Sequence, residues 1–147
     1  MKIIRANKRH INQVATLFDA YRKFYQQAPN LQKATDFIHE RITRSESVVF
    51  LALTSEGKPI GFTQLYPSFT SVGMKRLWIL NHLFIHPDFR KQGVGEALMN
   101  KAKDWATAKA AKRLFLQTAV DNTQAQQLYE RLGYIQDTHS YYYELEL

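Results

Sequence analysis

The chain has no cysteine, which excludes a disulfide framework, a thiolate metal site and a cysteine nucleophile. Proline and glycine are sparse, at 4 and 6 residues, too few for a low-complexity or linker-rich chain. No apolar run approaches the roughly 18 residues of a membrane span, and the opening MKIIRANKRH lacks the apolar stretch of a secretory leader. A cytoplasmic protein without a membrane partner is expected. The five histidines are scattered without ligand spacing, so no metal is expected. Lys and Arg number 20 against 13 Asp and Glu, a net +7, yet they form no run of five or more. No RNA-binding aromatic motif accompanies them. The charge suits solubility and one anionic ligand better than a nucleic acid, which is not expected as a partner.

What the sequence does hold is a globular pattern. A hydrophobic content of 45% over 147 residues fits one domain, 1–147, able to bury roughly two-thirds of its unfolded surface. Ile3 and Ile4 begin a short strand. Lys8 to Tyr25 carries apolar residues at Ile11, Val14, Leu17, Phe18, Tyr21 and Tyr25, a helix face. Pro29 and Asn30 interrupt it, and Leu31 to Thr43 resumes the period through Ala34, Phe37, Ile38 and Ile42. Val48–Thr54 and Ile60–Tyr66 read as strands flanking a Gly- and Pro-bearing hairpin turn, followed by a loop over Ser68–Arg76. The chain ends in Tyr134–Thr138 and Ser140–Leu147, the latter alternating apolar and polar positions like a strand. Such a terminal edge can pair across a two-fold axis into a homodimer.

The most informative stretch is Leu77 to Ala110. LWILNHLFI reads as a buried strand, and Val94, Ala97, Leu98, Ala102 and Trp105 give a helical repeat. Between them, HPDFRKQGVG is a basic, glycine-bearing turn. Gly93 and Gly95 let backbone approach a ligand closely, and the first N–H groups of the helix point into the turn. Arg90 and Lys91 add charge to a helix end that already favours anions. A phosphate or pyrophosphate seat follows; a glycine turn that merely relieves strain is the other reading. A Walker loop is excluded, because Gly95 is followed by Glu96 and Ala97 rather than Lys and Ser or Thr. A dinucleotide fingerprint lacks its third glycine and its acid. Further on, the strand LFLQTAV leads to Asp121-Asn122-Thr123 and the helical run QAQQLYERLG, where Thr123 and Gln126 fit a capping box and Gly133 a helix stop.

Ile85, Pro87 and Arg90-Lys91-Gln92-Gly93-Val94-Gly95, followed by Asn122, Ala125, Leu128, Tyr129 and Leu132-Gly133-Tyr134, resemble the two signature motifs of the GNAT acyltransferase superfamily. The element order β-α-α-β-β-β-α-β-α-β-β is also that family's order. The resemblance implies an α/β (α+β) single-domain GNAT fold, with a mixed central sheet of about seven strands and four helices. It implies an N-acetyltransferase that takes acetyl-CoA as co-substrate. Arg90, Lys91, Gln92, Gly93, Val94, Gly95 and Glu96 would then seat the pyrophosphate. The backbone of Leu83, Phe84 and Ile85 would pair with the pantetheine arm, which Asn122 and Tyr129 would also line. A helix cap is the other reading of Asn122.

Acetyl transfer to an amine needs a neutral nucleophile, although an alkylamine of pKa about 10.4 is protonated at pH 7. It also needs a donor for the leaving thiolate, and a phenol is neutral there. By the resemblance Tyr129 is the general acid; a core tyrosine is the alternative. Where many relatives carry an acid as base, this chain has Asn81 and His82. His82 has a base's intrinsic pKa but also suits a packed core position, and Asn81 can order a relay water. Strand alternation places Asn81 with Leu83 and Ile85, and His82 with Phe84. Residues 62–95 also loosely resemble the diamine and polyamine acetyltransferase branch, whose acids near this point are absent. Tyr25, Gln26, Tyr66 and Phe69 are candidate acceptor-pocket residues, ordinary packing being the other reading. The expected function is transfer of acetyl from acetyl-CoA to a primary amine, on a small molecule or peptide, by direct attack in a ternary complex. A non-catalytic acyl-CoA sensor is the alternative.

Overall fold

A computed structural model describes all residues from Met1 to Leu147. The chain divides into two compact units, Met1–Gln117 and Thr118–Leu147.

The first unit is built on a five-stranded sheet in sequential order: β1 (Lys2–Arg5), β2 (Val48–Leu53), β3 (Pro59–Thr70), β4 (Lys75–Ile85) and β5 (Arg113–Phe115). The first four pair antiparallel, and β5 runs parallel to β4, so the sheet is mixed. Helices α1 (Ile11–Phe24) and α2 (Leu31–Thr43) pack on one face, sharing a core of Val14, Leu17, Phe18, Ala34 and Ile38 with Val49, Leu51, Phe62 and Phe84. On the other face lies α3 (Val94–Ala108), whose Trp105 ring centroid is 6.0 Å from Phe50 and 6.2 Å from Trp78. With both faces covered, β2 reads VVFLAL without polar interruption. Burying each large side chain such as Phe50, Phe62 or Leu65 stabilises the fold by about 1.5–3 kcal/mol.

The α1–α2 connection is held by a buried acid. Asp19 accepts from the Asn30 backbone N–H at 2.9 Å and lies within 3.6–3.8 Å of Lys23 and Arg22. Asn30 in turn caps α2, its side chain accepting from Lys33 N–H at 3.0 Å.

Two expectations are corrected here. The loop expected over Ser68–Arg76 is mostly strand: β3 and β4 stay paired up to Thr70 and Lys75, where a short turn closes the hairpin. Arg76 lies over the rings of Phe69 (4.8 Å) and Trp78 (5.3 Å), which extends the pairing. The sheet also has five strands rather than about seven. β5 covers only Arg113–Phe115, and neither Tyr134–Thr138 nor Ser140–Leu147 is a strand. Alternation allows a strand, but only a backbone partner makes one, and these residues have no ladder.

The second unit contains α4 (Thr123–Arg131). Its cap is Asn122, which accepts from Ala125 N–H at 3.3 Å, and not the expected Thr123 box; Gln126 donates instead to the carbonyls of Ala119 and Val120. At the other end Gly133 (φ 94°) donates to Glu130 O, and Tyr134 N–H donates to Tyr129 O at 3.0 Å. That is a Schellman closure, which needs the left-handed glycine.

Gly61 on β3 tests the close packing of the first unit. A Cβ there would lie 2.9 Å from both Phe84 O and Ile85 Cδ1. Gly61→Val is expected to lower stability by about 1–3 kcal/mol, read as a reduced chemical-denaturation midpoint with the m-value unchanged.

Candidate active site

β4 delivers the site, and its register determines what each side chain faces. Gln64 pairs with His82 but Leu65 pairs with Leu80, so Asn81 is an extra residue in β4. This bulge resets the alternation. Before it, Trp78 faces α3. After it, His82 and Phe84 face α1, and Ile85 Cδ1 lies beside the Gly61 position with Leu98 of α3. His82 and Phe84 do share a face, as alternation predicts. Asn81 is exposed and stands at the irregularity itself.

His82 sits among rings: 4.6 Å from Tyr21, 5.5 Å from Phe18 and 6.4 Å from Phe62. Its Nδ1 is buried without a hydrogen-bond partner. Burial pushes its pKa down to about 4. It is therefore neutral at pH 7, as a base must be, yet too weak to hold an alkylammonium proton.

After Ile85 the chain makes a 3-10 turn (Pro87–Phe89) tied to β3 by His86 N–H donating to Ile60 O at 2.9 Å. Arg90 Nε donates back to Ile85 O at 3.1 Å, and its guanidinium lies over Phe24 (5.1 Å) and Phe84 (6.0 Å). Gln92 donates to Asp88 O. Lys91 (φ 59°) and Gly93 (φ 80°) are both left-handed, and Gly93 precedes α3 with no side-chain cap. The first N–H groups of α3 thus point into the turn. The same turn leaves open space at Gly93, where nothing lies within 4 Å of a Cβ position. An anion fits here by charge, by helix-terminal donors and by room. Beyond Ile79, β4 has no partner on its β5 side, so the edge of Leu80–Ile85, including Leu83 and Phe84, carries no strand there.

The acceptor candidates are placed unequally. Tyr25 lies 4.8 Å from Tyr21, which in turn touches His82, and Gln26 follows with φ 61°. Tyr66 and Phe69 pair with Ile79 and Arg76, so Phe69 is roughly 30 Å along the strand from Ile85 at ~3.3 Å per residue. Tyr66 is engaged locally, accepting from Gln64 Nε2 at 2.9 Å, and burial raises its pKa. Sequence reading passed over Tyr21 and Phe24 as site residues. Phe24, three residues after Tyr21 and seven after Leu17, continues the edge of the α1 apolar face to the helix end, a usable signal.

In the second unit, Tyr129 stands 6.0 Å from Tyr134, ring to ring. Burial, with Tyr129 as the lesser cause, pushes the Tyr134 phenol up to about 12. No group of three His, Asp or Glu side chains gathers to hold a metal, and no helix is long and apolar enough to cross a membrane.

The site is thus a basic, left-handed turn between β4 of a mixed sheet and the start of α3, and comparison with known proteins identifies the family. Residues 14–134 match the model of the acetyltransferase (GNAT) family. The chain belongs to that family. It is 46% identical over its full 147 residues to the uncharacterized N-acetyltransferase YhfO of Bacillus subtilis, covering 98% of that protein. The crystal structure of a probable acetyltransferase superposes with a TM-score of 0.96 at 38% identity, covering all of this chain and 98% of the other. The fold is also that of AAC(6')-Iy in complex with the bisubstrate analogue CoA-S-monomethyl-acetylneamine (TM-score 0.80, 21% identity, 99% and 98% covered).

His82 makes stability depend on pH in a definite direction. Its folded pKa lies below the unfolded value of about 6.5, so its contribution is complete above that pH and is lost as pH falls toward 4. Between pH 7 and 4.5, the wild type is expected to lose about 2–3 kcal/mol more than His82→Phe, measured by urea unfolding at each pH.

Proposed function

We propose that this GNAT acetyltransferase moves the acetyl group of acetyl-CoA to a primary amine by direct attack in a ternary complex. The observation that carries the reading is the uncapped N-terminus of α3, entered through the left-handed pair Lys91 and Gly93 with Arg90 fixed beside it. That turn supplies donors and charge for a pyrophosphate. The open edge of β4 at Leu83 to Ile85 supports a pantetheine arm lying there as a further strand. When bound, acetyl-CoA supplies an activated thioester carbonyl.

The residues of the chain then divide the work. Tyr21 and Tyr25 offer ring faces to an incoming ammonium. Neutral His82 accepts a hydrogen bond from the amine, while a water ordered at Asn81 carries its proton to solvent. The amine nitrogen bonds to the acetyl carbon, the carbon–sulfur bond breaks, and Tyr129 Oη gives its proton to the departing sulfur, to be reprotonated from solvent. Asn122 starts α4 and so fixes where Tyr129 stands on that helix. The ring-lined, carboxylate-free surroundings of His82 suit an amine on an aromatic, sugar or peptide frame better than a linear polyamine. Dependence on acetyl-CoA argues for the cytoplasm as its place of action.

Tyr129→Phe is expected to reduce kcat by about 10²–10⁴-fold while leaving the acetyl-CoA dissociation constant within twofold. Gly93→Trp should abolish binding. Equal loss of binding in Tyr129→Phe, or undiminished turnover, would overturn the assignment. Wild-type binding without thiol release on any amine would point to an acyl-CoA sensor instead.

A further inference from the structure

Thr63 lies in the middle of β3 and is fully buried, where a valine would fill the same volume with no polar atom to satisfy. Its Oγ1 donates across the sheet to the carbonyl of His82 at 2.7 Å, the usual length for a hydroxyl donor. His82 is the first residue after the Asn81 bulge, where the ladder is locally disrupted. Partners on either side fix the direction of the backbone groups along this stretch. His86 N–H donates to Ile60 O on β3 at 2.9 Å, so the backbone groups of His82, Phe84 and His86 turn toward β3 and those of Leu83 and Ile85 turn away. Arg90 Nε reaches Ile85 O from that outer side. A planar trans peptide points its C=O and N–H in opposite directions. A hydroxyl that holds the His82 carbonyl toward β3 therefore also holds the Leu83 N–H outward, at the edge of β4 that carries no strand beyond Ile79.

We propose that Thr63 is a positioning residue for the cofactor: its hydroxyl sets the plane of the His82–Leu83 peptide, and with it the direction in which Leu83 N–H donates to the pantetheine arm. Thr63 acts through that peptide and not by contact with the ligand. The bulge calls for such a clamp. In a regular ladder, cross-strand bonds on both sides would hold the peptide; here the preceding residue is the extra Asn81 and the outer edge has no strand, so a side-chain bond supplies the missing restraint. The same bond steadies the backbone that carries the His82 ring among Tyr21, Phe18 and Phe62. The pantetheine end of the proposal rests on the acetyl-CoA reading above; the setting of the peptide does not.

Three variants separate the roles: Thr63→Val removes the hydroxyl at nearly constant volume, Thr63→Ala removes it together with the methyl group, and Thr63→Ser keeps it. In the ligand-free protein, the NMR resonances of the His82 carbonyl carbon and the Leu83 amide nitrogen are expected to move in Thr63→Val and Thr63→Ala and to stay with the wild type in Thr63→Ser. Unmoved resonances in the first two would overturn the clamp. Isothermal titration then compares coenzyme A with ADP, which carries the pyrophosphate without the arm. Thr63→Val and Thr63→Ala should weaken coenzyme A by about 3- to 10-fold, the loss of one hydrogen bond, with ADP held within twofold, and Thr63→Ser should bring coenzyme A back to within twofold of the wild type. Equal weakening of both ligands, undiminished coenzyme A binding, or a Ser variant that behaves like Val would overturn the positioning role. Should the wild type bind neither ligand, the acetyl-CoA reading fails and the pantetheine end of the proposal with it, while the resonances still decide whether Thr63 sets the peptide.

Discussion

The β3–β4 pairing, broken once at Asn81, is the constraint on which the rest depends. One extra residue in β4 turns its side chains over, so that Trp78 anchors α3 while His82 and Phe84 anchor α1. Without that skip, an alternating strand would carry Trp78, His82 and Phe84 to a single face. The strand then leaves the sheet at Ile85 aimed at the turn, and Arg90 returns to Ile85 O to fix the exit. Fold and candidate site are therefore one problem in geometry: the same eleven residues that hold the sheet together position both.

The turn proposed to seat a phosphate takes its shape from its own backbone and side-chain contacts. The left-handed conformations of Lys91 and of the cap residue Gly93 are costly for most side chains, and here they serve to aim the first backbone donors of α3 into the turn. Arg90 is half-committed to structure, stacked over Phe24 and Phe84, which holds its charge at the turn without burying it. His82 shows the opposite economy. Its ring is placed by aromatic neighbours and its proton affinity is lowered by them, so it orients more readily than it titrates.

Much of this was legible in the sequence because it rests on local signals. Helix periodicity located α2 at Leu31–Thr43, and the turn Arg90–Gly95 announced the start of α3 through its glycines and charge. The bulge at Asn81 was not legible: a lone polar residue in LWILNHLFI is consistent with regular pairing, and only the partner strand reveals the skip. The length of the β3–β4 hairpin escaped for a similar reason, since cross-strand contacts such as Arg76 with Phe69 are non-local. The terminal strands were misjudged because alternation reports a face and not a partner. The capping residue of α4 moved by one position, within the ambiguity of Asn122-Thr123, where either side chain can accept from the first turn.

We propose that the amides opening α3 hold a pyrophosphate. The most direct measurement is a backbone amide NMR titration of the full-length protein with coenzyme A, repeated with pantetheine, which lacks the phosphates. The account predicts that coenzyme A moves the amides of Val94, Gly95 and Glu96 most, saturably, and that pantetheine leaves them in place. Equal shifts from both ligands, or coenzyme A shifts confined to other residues, would contradict it.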